Sequence, residues 1–319
     1  MGFFSKAMNR YYYGKSGKGD FKESDLPTTR WQLFWEMLRI RLSGLCRLNL
    51  MYAVIWLPAM LVILMTLLGL LNAMGDETVV GEQLGNLVQG TFMTMLMLLA
   101  PCIAITGPFT AGVCYVTRNW SRDEHAFIWS DFKDAVKANW KQSLVISAIT
   151  GVMPLLVYLG WTFYGSMSAN NKLMIVPQVL ILFVGLVWAI SVTYMHPLIV
   201  SYELKLSGIL RNGVLLGLGK LPMSVAIRLL HCVPVVLGLG LALLLNNYMV
   251  FLGLFLYYIL FGFALSRFIT ASWANAVFDK LINPNIEGAA VNRGLRAETD
   301  EDDDEEDDEE DESKAPEEN

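Results

Sequence analysis

Residues 106–142, TGPFTAGVCYVTRNWSRDEHAFIWSDFKDAVKANWKQ, decide how the whole chain is read. An apolar run meets Gly107-Pro108, continues for two turns, and changes within a few residues into alternating charges and aromatics. Three kinds of segment have this look: an active-site loop, a basic and aromatic nucleic-acid surface, and chain leaving a membrane. The flanks choose among them. Upstream lies TFMTMLMLLAPCIAITGPFTAGVCYV (91–116) and downstream SLVISAITGVMPLLVYLGWTFYG (143–165), both without a charge. A bilayer core takes about 20 apolar residues per helix, and runs that long are rare in soluble cores. The stretch reads as a connection between two membrane spans. That setting argues against a nucleic-acid role.

Four more runs complete the set: LMYAVIWLPAMLVILMTLLGLL (50–71), LMIVPQVLILFVGLVWAISVTYMHPLIV (173–200), residues 222–245, and YMVFLGLFLYYILFGFALS (248–266). Lipid offers no hydrogen bonds to the backbone, so spans of this kind must be helices. The expected fold is all-α, a polytopic membrane protein with six spans. Basic residues set its orientation. Nine Lys or Arg fall in residues 1–47 and five in the connection 117–142, whereas 72–90 holds none and 166–172 only Lys172. Lys205, Arg211 and Lys220 follow in 201–221, Asn246-Asn247 carries none, and Arg267, Lys280, Arg293 and Arg296 come after the last run. The alternation puts both termini in the cytoplasm. It also divides the chain into a cytoplasmic segment 1–47, a membrane domain 48–270, a juxtamembrane segment 271–297 and a tail 298–319.

Within 106–142, Ser121 and Glu124 match a capping box, which predicts a helix start there. Trp129, Phe132, Val136 and Trp140 then fall on one helical stripe, and Lys133, Lys137 and Lys141 on a neighbouring one. Such a helix is expected to lie in the headgroup layer of the bilayer, with its lysines toward anionic lipid or an acidic partner. Gly107-Pro108 would set the angle at which the second span delivers it. A second amphipathic helix is expected before the first span, with Trp31, Phe34, Trp35, Leu38, Leu42 and Leu45 on one face. A weaker third covers 201–220. Pro108 and Pro197, each late in its span, hint at a degenerate three-plus-three repeat, although the halves share little identity.

The mean hydropathy is +0.43 and 54% of residues are hydrophobic. The net charge of −6 hides two opposite parts. From Glu298 onward stand sixteen acidic residues and one Lys, so the rest of the chain, with 23 basic and 14 acidic residues, carries +9. Such a tail cannot bury apolar surface and is expected to be disordered. Cys46, Cys102, Cys114 and Cys232 sit in or beside apolar runs without metal-ligand spacing, as small buried hydrophobes do. The basic start lacks an early apolar run, so a cleavable signal peptide is not expected.

Chemistry is sparse. Arg228 and His231 sit near the start of the fifth run and His196 near the end of the fourth, so no span carries an ionisable residue at its centre. That weighs against ion-coupled transport. GVLLGLGKL (213–221) is not a phosphate loop: its glycine spacing is off by one and Leu221 stands where Ser or Thr is required. With three histidines in the chain, a His-rich metal site is excluded and hydrolytic triads have few candidates. Neither enzymatic activity nor a cofactor is expected. Pro58, Pro101, Pro154, Pro177 and Pro234 either kink packed spans or break them around a binding site. Gly262 and Ser266 form a small-xxx-small pair able to seat another helix.

Gly107, Pro108, Thr110, Ala111, Tyr115 and Arg118, followed by Phe132, Ala135, Lys137, Asn139, Lys141 and Gln142, resemble the signature region of the YesL-like family of bacterial membrane proteins, a domain of unknown function. The likeness extends over roughly residues 45–280. Residues 9–30, the connection 72–90 and the acidic tail depart from it. The resemblance implies a protein often encoded beside sugar-import ABC transporters, and it implies no reaction. The expected partners are therefore the lipid bilayer and a sugar ABC permease. The alternative expectation is a permease for a small neutral solute.

Overall fold

The computed structural model describes residues 26–75, 78–245, 247 and 249–296, and every regular element among them is helical. The acidic tail, the first 25 residues and Asp76-Glu77 lie outside the described residues. The helices are α1 (Arg30–Gly75), α2 (Glu82–Trp120), α3 (Ser130–Ser168), α4 (Ile175–Ser201), α5 (Leu206–Gly219), α6 (Leu221–Leu245), α7 (Met249–Tyr257) and α8 (Phe263–Leu281). A π-helical turn, Tyr258–Gly262, joins the last two into one rod. Among the described residues six helices are long and apolar enough to cross a membrane, and each overlaps one of the six apolar runs.

Two expected surface helices are instead parts of spans. Residues 30–47 continue without a break into the first span, giving α1 a length of 46 residues. At 1.5 Å per residue that is about 69 Å, about twice the thickness of a bilayer core. The N-terminal half of α1 buries Leu33, Met37, Leu45 and Leu48, while Trp31, Trp35 and Leu42 stay exposed. The buried face is thus rotated from the expected one, because α8 and α2 come against it from that side: Phe34 packs on Phe268 and Leu48 clusters with Trp120. Likewise the Lys-rich half of residues 106–142 is the first turns of α3, continuous with the third span. The third amphipathic segment does stand alone, as α5, burying Ile209, Gly213 and Leu216.

The tightest packing in the bundle joins α2 to α3. A Cβ on Gly107 would lie 2.3 Å from the Ser143 carbonyl oxygen, and one on Gly151 would lie 2.5 Å from that of Ala100. Small residues on both helices therefore bring the backbones into contact, as van der Waals packing in lipid favours. Pro58, Pro101, Pro108, Pro154, Pro197 and Pro234 all sit inside continuous helices. The local break among the spans is the π turn, and proline does not cause it. Gly262 ends that turn, and an added Cβ there would strike the Tyr257 and Tyr258 rings, so this glycine makes room for aromatics of its own rod.

The turn is held by α1. Asn49, 0% exposed, donates through Nδ2 to the carbonyls of Tyr258 (2.9 Å) and Ile259 (2.6 Å) and accepts the Ala264 N–H through Oδ1 (2.8 Å). A π turn shifts the backbone ladder by one residue and leaves carbonyls without intrahelical donors. In lipid they need another partner, and Asn49 is that partner.

Candidate functional site

α2 ends at Trp120 and the chain turns through residues 121–129 before α3 begins. Ser121 and Glu124 do not start a helix. They close one: Ser121 Oγ donates to the Arg118 carbonyl (2.9 Å) and the Glu124 N–H to that of Asn119 (2.8 Å), satisfying the last carbonyls of α2. The start signal of α3 lies later, where the Phe127 N–H donates to Asp131 Oδ2 at 2.9 Å and Asp131 favours the positive end of the helix. Between them Asp123 adopts φ 54°, a left-handed conformation that Asp tolerates.

This turn is tied to distant segments. Asn275 of α8 donates to Ser121 Oγ at 2.7 Å. Arg122 donates to the Ala290 carbonyl (2.9 Å) and faces Glu124 at 3.3 Å, and Glu124 meets Arg293 at the same distance. Arg41 of α1 stands 3.9 Å from Asp123. Nearby, Arg30 pairs with the buried Asp279, which also accepts from Asn283, and the Tyr202 hydroxyl donates to Asn283 Oδ1 at 2.6 Å. Burial pushes the Tyr202 phenol up to about 12. The basic segments read as lying on one side thus meet at one end of the bundle: α1, the 121–129 turn, the α4–α5 connection and the chain after α8.

Beside this knot a groove of about 1010 Å³ opens between α3 and the α4–α5 connection. Tyr115, Asn139, Trp140 and Lys141 line it, with residues 199–205 opposite, and Gln142 Nε2 ties the two walls by donating to the Leu204 carbonyl at 2.7 Å. Lys141 Nζ sits 5.6 Å from the Trp140 ring centre, a cation–π distance.

The expected stripe is split by this packing. Phe132 is buried, because Gly112 leaves a hollow that its ring and Val136 fill. Trp129 is 66% exposed, and Trp140 faces the groove. Lys133 and Lys137 are exposed, outside the residues that line the groove. Gly107 makes the α2–α3 contact, Pro108 lies within α2, and Arg118 donates to the side chain of its neighbour Asn119 at 3.1 Å. Asn139 donates to the Ala135 carbonyl (3.0 Å). Thr110 is buried and hydrogen-bonds the Tyr52 hydroxyl of α1 at 2.6 Å. The sequence motif is therefore mostly a packing device. Tyr115, Ala135, Asn139, Trp140, Lys141 and Gln142 are the members that line the groove.

Sequence reading missed one cluster. Arg267, counted as a residue beyond the last span, stands inside the helix that starts at Met249 and lines a cavity together with Arg228 and His231. The only signal was the Arg228–His231 pair.

A protein-family model described as "Protein of unknown function, DUF624" matches residues 86–161, the greater part of the α2–α3 hairpin. No curated protein and no solved structure matches the chain.

Proposed function

We propose that the chain is a multi-pass accessory protein of the bacterial cytoplasmic membrane, of the YesL-like kind, with both termini in the cytoplasm, and that it docks the membrane subunit of a carbohydrate ABC importer. One observation carries this reading. The segment that resembles a known family is the α2–α3 hairpin, and its outer end presents a groove edged by Trp140, Lys141, Asn139 and Tyr115 beside the exposed Trp129. Aromatic residues flanked by charge suit a protein interface. The basic connections gathered at the same end support a cytoplasmic position for it. The neutral-solute reading draws less support, because the cavity between the spans is lined by two arginines.

The test is affinity capture from membranes in mild detergent, with a photo-crosslinking residue at position 140. A stoichiometric permease subunit, cross-linked at 140 and weakened by Trp140→Ala with Lys141→Glu, is the expected result. Recovery of the chain alone, together with solute flux in liposomes, would replace the reading with the permease alternative. Cysteine labelling settles the side: substitutions at Glu82 and Asn247 should react from outside, and those at Lys133 and Lys205 should not.

A further inference from the structure

The cavity that holds Arg228 and Arg267 has about 200 Å³ of space between α1, α4, α6 and the last rod. Its chemistry is one-sided. Arg228 and Arg267 line the same small cavity, and among the described residues neither has a salt-bridge partner. Arg228 Nε, Trp56 Nε1 and Thr193 Oγ1 are buried, belong to cavity-lining residues and have no hydrogen-bond partner. Thr193 is 3% exposed. The first two are donors only, and the hydroxyl can be one.

The surrounding polar groups are already oriented. Thr110 Oγ1 gives its hydrogen to the Thr106 carbonyl (2.9 Å), so Tyr52 must donate to Thr110, and the Tyr52 side chain lines the cavity together with Arg267. His231 Nε2 lies 3.1 Å from the Ser266 carbonyl, which can only accept, so this nitrogen carries the hydrogen. The lining thus supplies cations and donors with no carboxylate to answer them. Two like charges withdrawn from water without a counter-ion are strongly unfavourable, and intramembrane charges mark functional sites.

The geometry points to a binding site for a phosphate-type oxyanion, gripped between Arg228 and Arg267 with Thr193 and Trp56 completing the donor set. Its depth bears on the source. Thr193 and Arg267 each lie 18 residues along their spans, from Ile175 and Met249, about 27 Å from the far end. A hydrocarbon core is about 30 Å thick. The cavity therefore falls where acyl chains give way to headgroups, on the side of the basic connections, and a phospholipid phosphate or a free phosphate could reach it. Paired guanidiniums suit either, through bidentate hydrogen bonds.

The test is thermal melting of the full-length protein, delipidated in maltoside micelles, in three arms: phosphatidylglycerol, diacylglycerol at equal mole fraction, and inorganic phosphate. Phosphatidylglycerol should raise the melting temperature by on the order of 5 °C at saturation, while diacylglycerol does not. The rise should vanish in Arg228→Gln and Arg267→Gln. Without any anion, Arg228→Gln should melt as high as wild type or higher, because one of the two like charges is gone; a purely structural arginine would give a lower value. Protection by inorganic phosphate alone, lost in the same variants, supports the site with a free anion as occupant. If an arginine variant fails to fold, Thr193→Val should keep the unliganded melting point and weaken protection at least threefold in apparent affinity. No protection in either phosphate arm, or undiminished protection in Thr193→Val and the arginine variants, overturns the assignment.

Discussion

Replacing Asn49 with Leu tests whether the π turn is held from outside. Leu has the same branching and number of side-chain heavy atoms as Asn and favours helix, so the backbone of α1 itself should be unaffected. What is lost is the set of three hydrogen bonds to Tyr258, Ile259 and Ala264. Side-chain hydrogen bonds within membranes average about 0.6 kcal/mol each. A buried group left without a partner costs about 1–3 kcal/mol. Three bonds on one fully buried residue place the loss at about 2–4 kcal/mol, or about 3–6 °C in melting temperature for a chain of this size. Ser266→Ala, which removes the hydroxyl's 2.9 Å bond to the Gly262 carbonyl on the same helix, should stay within about 0.5 kcal/mol of wild type. Melting in detergent and denaturant titration both read these differences. There is a second consequence. If the turn relaxes into regular α-helix, every residue after it rotates by about 100° relative to α7. Arg267 would then leave the cavity. An Asn49→Leu protein within about 0.5 kcal/mol of wild type would mean that the π turn stands on its own, and the reasoning fails.

Other outcomes follow from single contacts. Gly107→Ala sets a methyl group 2.3 Å from a backbone oxygen that cannot yield, so α2 and α3 must part, at about 2–3 kcal/mol or more, measured by melting. Gly69→Ala, with nothing within 4 Å, should be neutral or stabilising by about 0.5–1 kcal/mol. Asp279→Ala removes the Arg30 ion pair and the Asn283 Nδ2 bond, leaving Arg30 its bond to Asn292, and should cost about 1–3 kcal/mol, with faster proteolysis after α8 as a second readout. Tyr202 stabilises the knot as the neutral phenol. Its share is complete below pH 10 and lost as pH rises through about 12, so ultraviolet titration of wild type against Tyr202→Phe should show one tyrosine ionising near 12.

The six long apolar helices were legible because lipid would impose one rule on every residue of a run, and about 20 apolar residues state it redundantly. Helix ends were less so. Ser121 and Glu124 carry the residue types of a start signal, yet Asn275 and the Arg118 carbonyl recruit Ser121 to finish α2 instead. The same side chains can serve either end, and the partner that decides lies 154 residues away. The Trp129–Trp140 stripe failed for a related reason. Periodicity showed that an apolar face exists, but the hollow over Gly112 chose Phe132 for burial and left the tryptophans outside.

The arginine cavity was hidden by how a span is delimited. An apolar run is cut at its first charge, so Arg267 marked the end of the sixth span and joined the loop count. The helix in fact continues to Leu281. Arg228 was discounted in the same way, as a residue near the start of its span. Each reading is sound for one helix against lipid, where a charge near the end reaches water. It breaks down when two such ends face each other across a bundle, because each charge then occupies the space into which the other would extend. Here they meet beside α1, whose Tyr52 lines the cavity with them and whose Asn49 holds the turn that precedes Arg267. Tyr52 is in turn fixed by Thr110, one of the residues that carry the family resemblance. A motif that packs the α2–α3 hairpin therefore also orders the hydroxyl beside the cavity. On this view Thr110→Val should disturb oxyanion protection while leaving the groove at Trp140 intact, which separates the two sites within one signature.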